Sequence, residues 1–203
     1  DREDAAIKLT VKLKKIIQGK DFIIAALTRG GVVLGKVIAD HFKLPLEALV
    51  VKKLGAPDNP ELAIGAVGPK GITYFDQDLI KSLGVTKDYK KFVVTEKSKE
   101  VASLEKILKT KSASWRIKNK KVILVDDGVA TGATVTCAYN FLKNEKAKTI
   151  ILATPVIAKE TFNSIKKHFD RVVSLYIANE FYAVGEFYRN FPQVSDEEVA
   201  GLL

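Results

Sequence analysis

The chain has 203 residues, 47% of them hydrophobic and 28% charged, a composition that excludes a disordered chain and allows about 70% of the unfolded surface to be buried. No apolar run approaches the roughly 18 residues that a membrane span needs. Lys and Arg number 33 against 24 Asp and Glu, a net charge of +9 that favours anionic partners. These bases are interspersed with acids, and neither a zinc-finger spacing nor an aromatic-interleaved RNA-binding motif is present. The expected partner is therefore a small phosphorylated molecule, with no membrane and no nucleic acid. The one cysteine, Cys137, leaves no internal disulfide framework and fits a reducing cytoplasm, the expected location. It reads as a small apolar helix residue rather than a nucleophile.

In chain order, "AAIKLTVKLKKII" places Ala6, Leu9, Leu13 and Ile16 on one face of an amphipathic helix that Gly19 closes. "DFIIAAL" follows as a short continuous apolar run, the pattern of a strand buried on both faces. The turn "TRGG" opens the helix "VVLGKVIADHF", and "PLEALVVKKL" reads as the next strand. "GAPDNPEL" is a loop, because two prolines and a glycine forbid regular structure there. "AIGAVG" and "GITYF" suggest a short hairpin.

Residues 76 to 115 have a helical pattern with Leu104, Ile107 and Leu108 as an apolar stripe, and 70–118 as a whole reads as a helical insertion. Alternation then resumes with the strand "KVILV", a helix from Ala133 to Lys143, the strand "TIILATPV", the helix "KETFNSIKKHF" and the strand "RVVSLYI". Strands alternating with helices predict an α/β fold: a mostly parallel, Rossmann-like sheet with helices on both faces, in one domain spanning 1–203. The tail, 179–203, is aromatic and ends in a short helix announced by the capping box Ser195 and Glu198.

The chemistry concentrates in "VILVDDGVATGAT", where two adjacent carboxylates, Asp126 and Asp127, end a buried strand. In open parallel sheets, ligands bind outside the carboxyl ends of the strands. The following Ala130, Thr131, Gly132, Ala133 and Thr134 bring small residues and hydroxyls to a helix N-terminus, a setting that favours phosphate. Carboxylates beside a phosphate suit the vicinal hydroxyls of a ribose or a bound Mg²⁺, directly or through water. Together these residues describe a ribose 5-phosphate site. Neither GxxxxGK[ST] nor GxGxxG occurs in the corresponding turns.

The same stretch resembles the phosphoribosyl diphosphate motif of the type I phosphoribosyltransferases. The segments "LTRGG", "VKKLGAPDNPELAIGAVG" and "FYAVGEFYRNFPQVSDEEV" resemble a group of predicted phosphoribosyltransferases with unassigned acceptor. The resemblance implies that Asp126 and Asp127 contact ribose hydroxyls as catalytic groups, and that Ala130 to Thr134 grip the 5-phosphate. It places Thr28, Arg29 and Gly30 in a pyrophosphate loop that often contains a non-proline cis peptide, with Arg29 as a catalytic cation. Either Lys52 or Lys53 is expected to reach the diphosphate, since successive strand residues face opposite ways. The implied cofactor is Mg²⁺, bound with phosphoribosyl diphosphate.

Residues 55 to 68, "GAPDNPELAIGAVG", correspond to the segment where the family keeps a mobile loop. The variable hood over the acceptor is expected from either 70–118 or the tail, with Tyr182, Phe187 and Tyr188 as acceptor contacts. Ala130 stands where 6-oxopurine enzymes of the family usually carry an aspartate, so the motif looks more like the adenine type. The expected activity is transfer of phosphoribosyl to a nitrogenous acceptor such as a nucleobase, with a homodimer allowed for. The alternatives are a non-catalytic sensor of the donor, or an enzyme hydrolysing a ribose phosphate compound.

Overall fold

The computed structural model describes residues 1–19, 21–108 and 117–203. Its main sheet has five strands in the order β2-β1-β6-β7-β8, all parallel. The strands are β1 (Phe22–Leu27), β2 (Leu46–Leu49), β6 (Lys121–Val125), β7 (Thr149–Ala158) and β8 (Arg171–Ala178). A smaller antiparallel sheet joins β3 (Lys52–Gly55), β4 (Ala63–Val67) and β5 (Thr73–Phe75).

Helices α1 (Arg2–Leu13) and α2 (Gly30–Phe42) cover one face of the main sheet, and α5 (Ala133–Asn144) and α6 (Lys159–Ile165) the other. The central strands show why. Ile24, Ala26, Ile123, Val125, Ile151 and Ala153 pack into the core on the α1 and α2 side. Their neighbours Ala25, Leu27, Val122, Leu124, Ile150 and Leu152 pack into the core under α5. With both faces buried, each strand must be apolar at every position, which is the continuous pattern the sequence displays.

Several elements differ from the expected ones. "PLEALVVKKL" is two strands in two sheets, not one. The pairing of β1 with β2 runs out at the bond from Thr28 N–H to the Leu49 carbonyl, 3.1 Å, and the chain then leaves to pair β3 with β4. The hairpin expected at 63–75 is thus the outer part of a three-stranded sheet. The block 70–118 opens on a 3-10 turn and β5 before its helices α3 (Gln77–Ser82) and α4 (Lys87–Ile107), and residues 109–116 lie outside the described residues. The α4 stripe contains Val101, Leu104 and Leu108, whereas Ile107 is 55% exposed because it falls off that face.

Strand β7 runs to Ala158 despite Pro155. Its pairing with β6 ends at Ala153, so the missing N–H of Pro155 interrupts no ladder on that side. Helix α6 stops at Ile165, earlier than expected, and Phe169 turns back into the core. The last helix, α7 (Asp196–Leu202), has the expected capping box: Ser195 Oγ accepts from Glu198 N–H at 3.1 Å, and Glu198 accepts from Ser195 N–H at 2.6 Å. Among the described residues, no helix is long and apolar enough to cross a membrane.

Candidate active site

Two helices begin at the carboxyl edge of neighbouring strands: α2 directly after β1, and α5 after the loop that follows β6. Neither has a side-chain cap, since Arg29 and Gly132 at the N-cap positions make no such bond. No side chain caps their first-turn N–H groups, a setting that suits an anion, although the N–H of Val32 already donates to the Arg29 carbonyl at 3.1 Å. Gly132 has φ 79, a left-handed conformation that glycine adopts without steric cost. Thr161 of α6 donates its hydroxyl to the Ala130 carbonyl and so braces the loop from behind. In that loop Thr131 is exposed, Ala130 and Thr134 are half-buried, and Gly132 and Ala133 are buried.

Asp126 and Asp127 stand between the two helix starts. Asp126 Oδ1 accepts from the N–H of Asp127 at 2.9 Å. Burial, then the charge of Asp127, raises the Asp126 carboxyl well above the ordinary carboxylate range, and the backbone bond and Lys53 partly offset this. Asp127 Oδ2 accepts from Arg2 Nε at 2.8 Å in an ion pair whose side chains are 9% and 16% exposed. The Tyr188 hydroxyl donates to the Asp127 carbonyl at 2.6 Å. Burial and the nearby carboxylates push this phenol upward, although Arg2 opposes the shift.

Thr28 and Arg29 are joined by a cis peptide bond, as the resemblance implies. The two glycines that follow are required by close approach. A Cβ on Gly30 would lie 1.8 Å from Asp127 Oδ2, and one on Gly31 would lie 2.7 Å from the Val125 carbonyl oxygen. Glycine at both positions lets the start of α2 lie flush against the end of β6.

A cleft of about 430 Å³ collects Thr28, Arg29, Gly30, Lys52, Asp127 and Arg2. Leu104 of α4 and Phe191, Gln193 and Val194 of the tail form its other wall, so both expected hood segments reach it. Lys52 lines the cleft, with Glu100 of α4 at 3.9 Å. Lys53 is exposed, and its charge bears on Asp126. The two lysines thus approach the site from different sides of β3, in keeping with strand alternation. Arg29 Nε donates to Asp196 Oδ1 at 2.6 Å, which ties the loop to α7.

On the other side of Tyr188 lies a cavity of about 630 Å³ lined by Pro155, Val156, Tyr176, Phe187, Tyr188 and Arg189. Phe187 packs on Tyr176 and Phe181, with ring centroids 5.8 and 5.0 Å away. Of the three expected acceptor contacts, Tyr188 reaches the dyad through the Asp127 carbonyl, Phe187 lines only this second cavity, and Tyr182, 82% exposed, lines neither space. Sequence reasoning missed Arg2. It falls in register with Ala6, Leu9 and Leu13 on the buried face of α1, and a charge in an apolar stripe was the available signal.

Two uncapped helix starts flank a carboxylate dyad at the carboxyl edge of a parallel sheet, the edge at which open α/β sheets take their ligands. The comparisons agree: the phosphoribosyl transferase domain family matches residues 1–188, and the chain belongs to that family. Two proteins of Mycobacterium tuberculosis, whose names provisionally assign them as phosphoribosyl transferases, are 34% identical over the whole chain. The chain spans about half the length of these curated relatives, 46% of each. The crystal structure of TT1426 from Thermus thermophilus superposes with a TM-score of 0.78 at 29% identity, covering 100% of this chain and 95% of that one. The adenine phosphoribosyltransferase of Giardia lamblia, solved with 9-deazaadenine, shares the fold at a TM-score of 0.53 and 12% identity, covering 88% of this chain and 80% of that one.

Proposed function

We propose that this chain transfers the phosphoribosyl group of phosphoribosyl diphosphate to a nitrogenous acceptor, a nucleobase or related compound, with Mg²⁺ as cofactor. The observation that carries the proposal is the convergence of Asp126 and Asp127 with the uncapped starts of α2 and α5. The loop Ala130 to Thr134 binds the 5-phosphate through backbone N–H groups. Asp126 Oδ2 and Asp127 Oδ1, which have no protein partner among the described residues, accept from the ribose hydroxyls.

Arg29, Lys52 and the start of α2 receive the pyrophosphate. The residues present fit Mg²⁺, which keeps several waters and takes one or two carboxylates beside substrate phosphates. Asp126 and Asp127 would be those carboxylates, since no cluster of three or more ligands exists among the described residues, and Mg²⁺ held there would supply positive charge against the departing diphosphate.

In the reaction, the lone pair of the acceptor nitrogen forms a bond to C1 of the ribose while the C1–O bond breaks. Its electrons depart with pyrophosphate, and C1 inverts. Positive charge develops on the ribose ring, and the two carboxylates beside it are placed to stabilise that charge. The acceptor enters the cavity under Phe187 and Tyr188, whose rings offer stacking surface.

The test is calorimetric titration with phosphoribosyl diphosphate and Mg²⁺, followed by a screen of nucleobases and amines for pyrophosphate release. Micromolar binding, lost in the folded Asp126→Asn, Asp127→Asn variant, is expected. A folded wild-type protein that does not bind the donor refutes the reading. Binding with no release for any acceptor indicates a sensor, and release of free base or ribose phosphate without added pyrophosphate indicates a hydrolase.

A further inference from the structure

Arg2 is a charged residue only 8% exposed, on the face of α1 that otherwise presents Ala6, Leu9 and Leu13 to the core. Its guanidinium meets three groups. Nε donates to Asp127 Oδ2 at 2.8 Å, Nη1 donates to the Pro192 carbonyl at 2.7 Å, and Cζ lies 3.8 Å from the centre of the Phe191 ring. Gly30 abuts the same ion pair, since a Cβ there would lie 1.8 Å from Asp127 Oδ2 and 2.8 Å from Arg2 Nε. Tyr188, three residues before Phe191, bonds the Asp127 carbonyl. One arginine from the first helix thus joins the second carboxylate of the dyad to the C-terminal tail.

We propose that Arg2 is a positioning residue of the donor site, one that sets the Asp127 carboxylate for ribose and clamps residues 188–192 across it. The inference rests on the donor reading above. A buried guanidinium on Oδ2 fixes the carboxylate plane and commits one oxygen to the protein, so Oδ1 is the atom left for a ligand hydroxyl. Because the same planar group holds Pro192 and Phe191, donor affinity and tail order are coupled. A lysine cannot reproduce this, since a point charge lacks the flat face and the forked donors.

The test combines donor titration with hydrogen exchange of the tail in wild type, Arg2→Gln, Arg2→Lys, Asp127→Asn and the Arg2→Gln, Asp127→Asn double variant. Loss of a group that orients a ligand-binding side chain typically weakens binding by about 10- to 100-fold. Arg2→Gln is expected to show that loss, with faster exchange over 188–194. The double variant should bind no more weakly than Asp127→Asn alone. Arg2→Lys should recover part of the affinity without recovering tail protection, and it replaces Arg2→Gln if the latter does not fold.

Wild-type affinity in a folded Arg2→Gln overturns the inference and leaves the donor reading intact. If wild type itself fails to bind, the donor reading falls and takes the carboxylate role of Arg2 with it. Unchanged tail exchange in both Arg2 variants overturns the clamp.

Discussion

At the scale of single residues, Asp126 carries the conflict between stability and function. Its raised proton affinity means that the fold opposes the ionised form. The unfolded chain releases this proton first as pH climbs, so stability is lost from the ordinary carboxylate range up through the raised value. Asp126→Asn should therefore raise the melting temperature of the ligand-free protein at pH 8 and flatten that part of the pH–stability curve, while abolishing donor binding. A lower melting temperature contradicts this account. Gly30→Ala places a methyl group where Asp127 Oδ2 now lies. The ion pair with Arg2 must break or the backbone must shift, at a cost of about 1 to 3 kcal/mol by urea denaturation. Cys137 is buried, bonds the Ile72 carbonyl at 3.2 Å, and has its thiol pushed up to about 12 by burial. The folded protein should leave a disulfide reagent unreacted at pH 8, and the thiol should titrate only in denaturant.

At the scale of elements, the two segments that stand outside the strand and helix alternation both reach the site. Helix α7 reaches Arg29 through Asp196, and α4 reaches Lys52 through Glu100. Each cation assigned to pyrophosphate thus has a carboxylate neighbour on an element outside the main sheet. An exposed pair of this kind is worth at most about 1 kcal/mol. Asp196→Ala should accordingly tighten donor binding by up to about fivefold, as titration would read directly; weaker binding would assign Asp196 a supporting role instead. The central strands and their helices were legible because burial on both faces leaves apolar runs that end at glycine turns. The capping box at Ser195 was legible for the same local reason. The break inside "ALVVKKL" was not, because Val50 and Val51 are buried whether the strand continues or changes sheet. Ile107 was misplaced because a helix read without partners leaves open which apolar residue lies just off the packed face.

At the scale of the molecule, the sheet brings together groups that are far apart in sequence: Arg2, the loop at 28–30, Lys52, the dyad and the tail at 188–196. The dyad and the loop Ala130 to Thr134 could be singled out directly as a candidate site, since they occupy one continuous stretch. Arg2 and the bond from Tyr188 to the Asp127 carbonyl could not, because they exist only through contacts spanning 125 and 61 residues. Phe141 lies fully buried in the α5 core, and Phe141→Ala should cost about 3 to 5 kcal/mol of stability by the same denaturation measurement, leaving donor affinity in the folded fraction unchanged. The central claim is a phosphoribosyl donor site at the carboxyl edge of β1 and β6. A crystal structure with phosphoribosyl diphosphate and Mg²⁺ tests it most directly. The account predicts the 5-phosphate on residues 130–134, the ribose hydroxyls on Asp126 and Asp127, and the diphosphate against residues 28–30. Donor density elsewhere, or a ribose turned away from the two carboxylates, would contradict it.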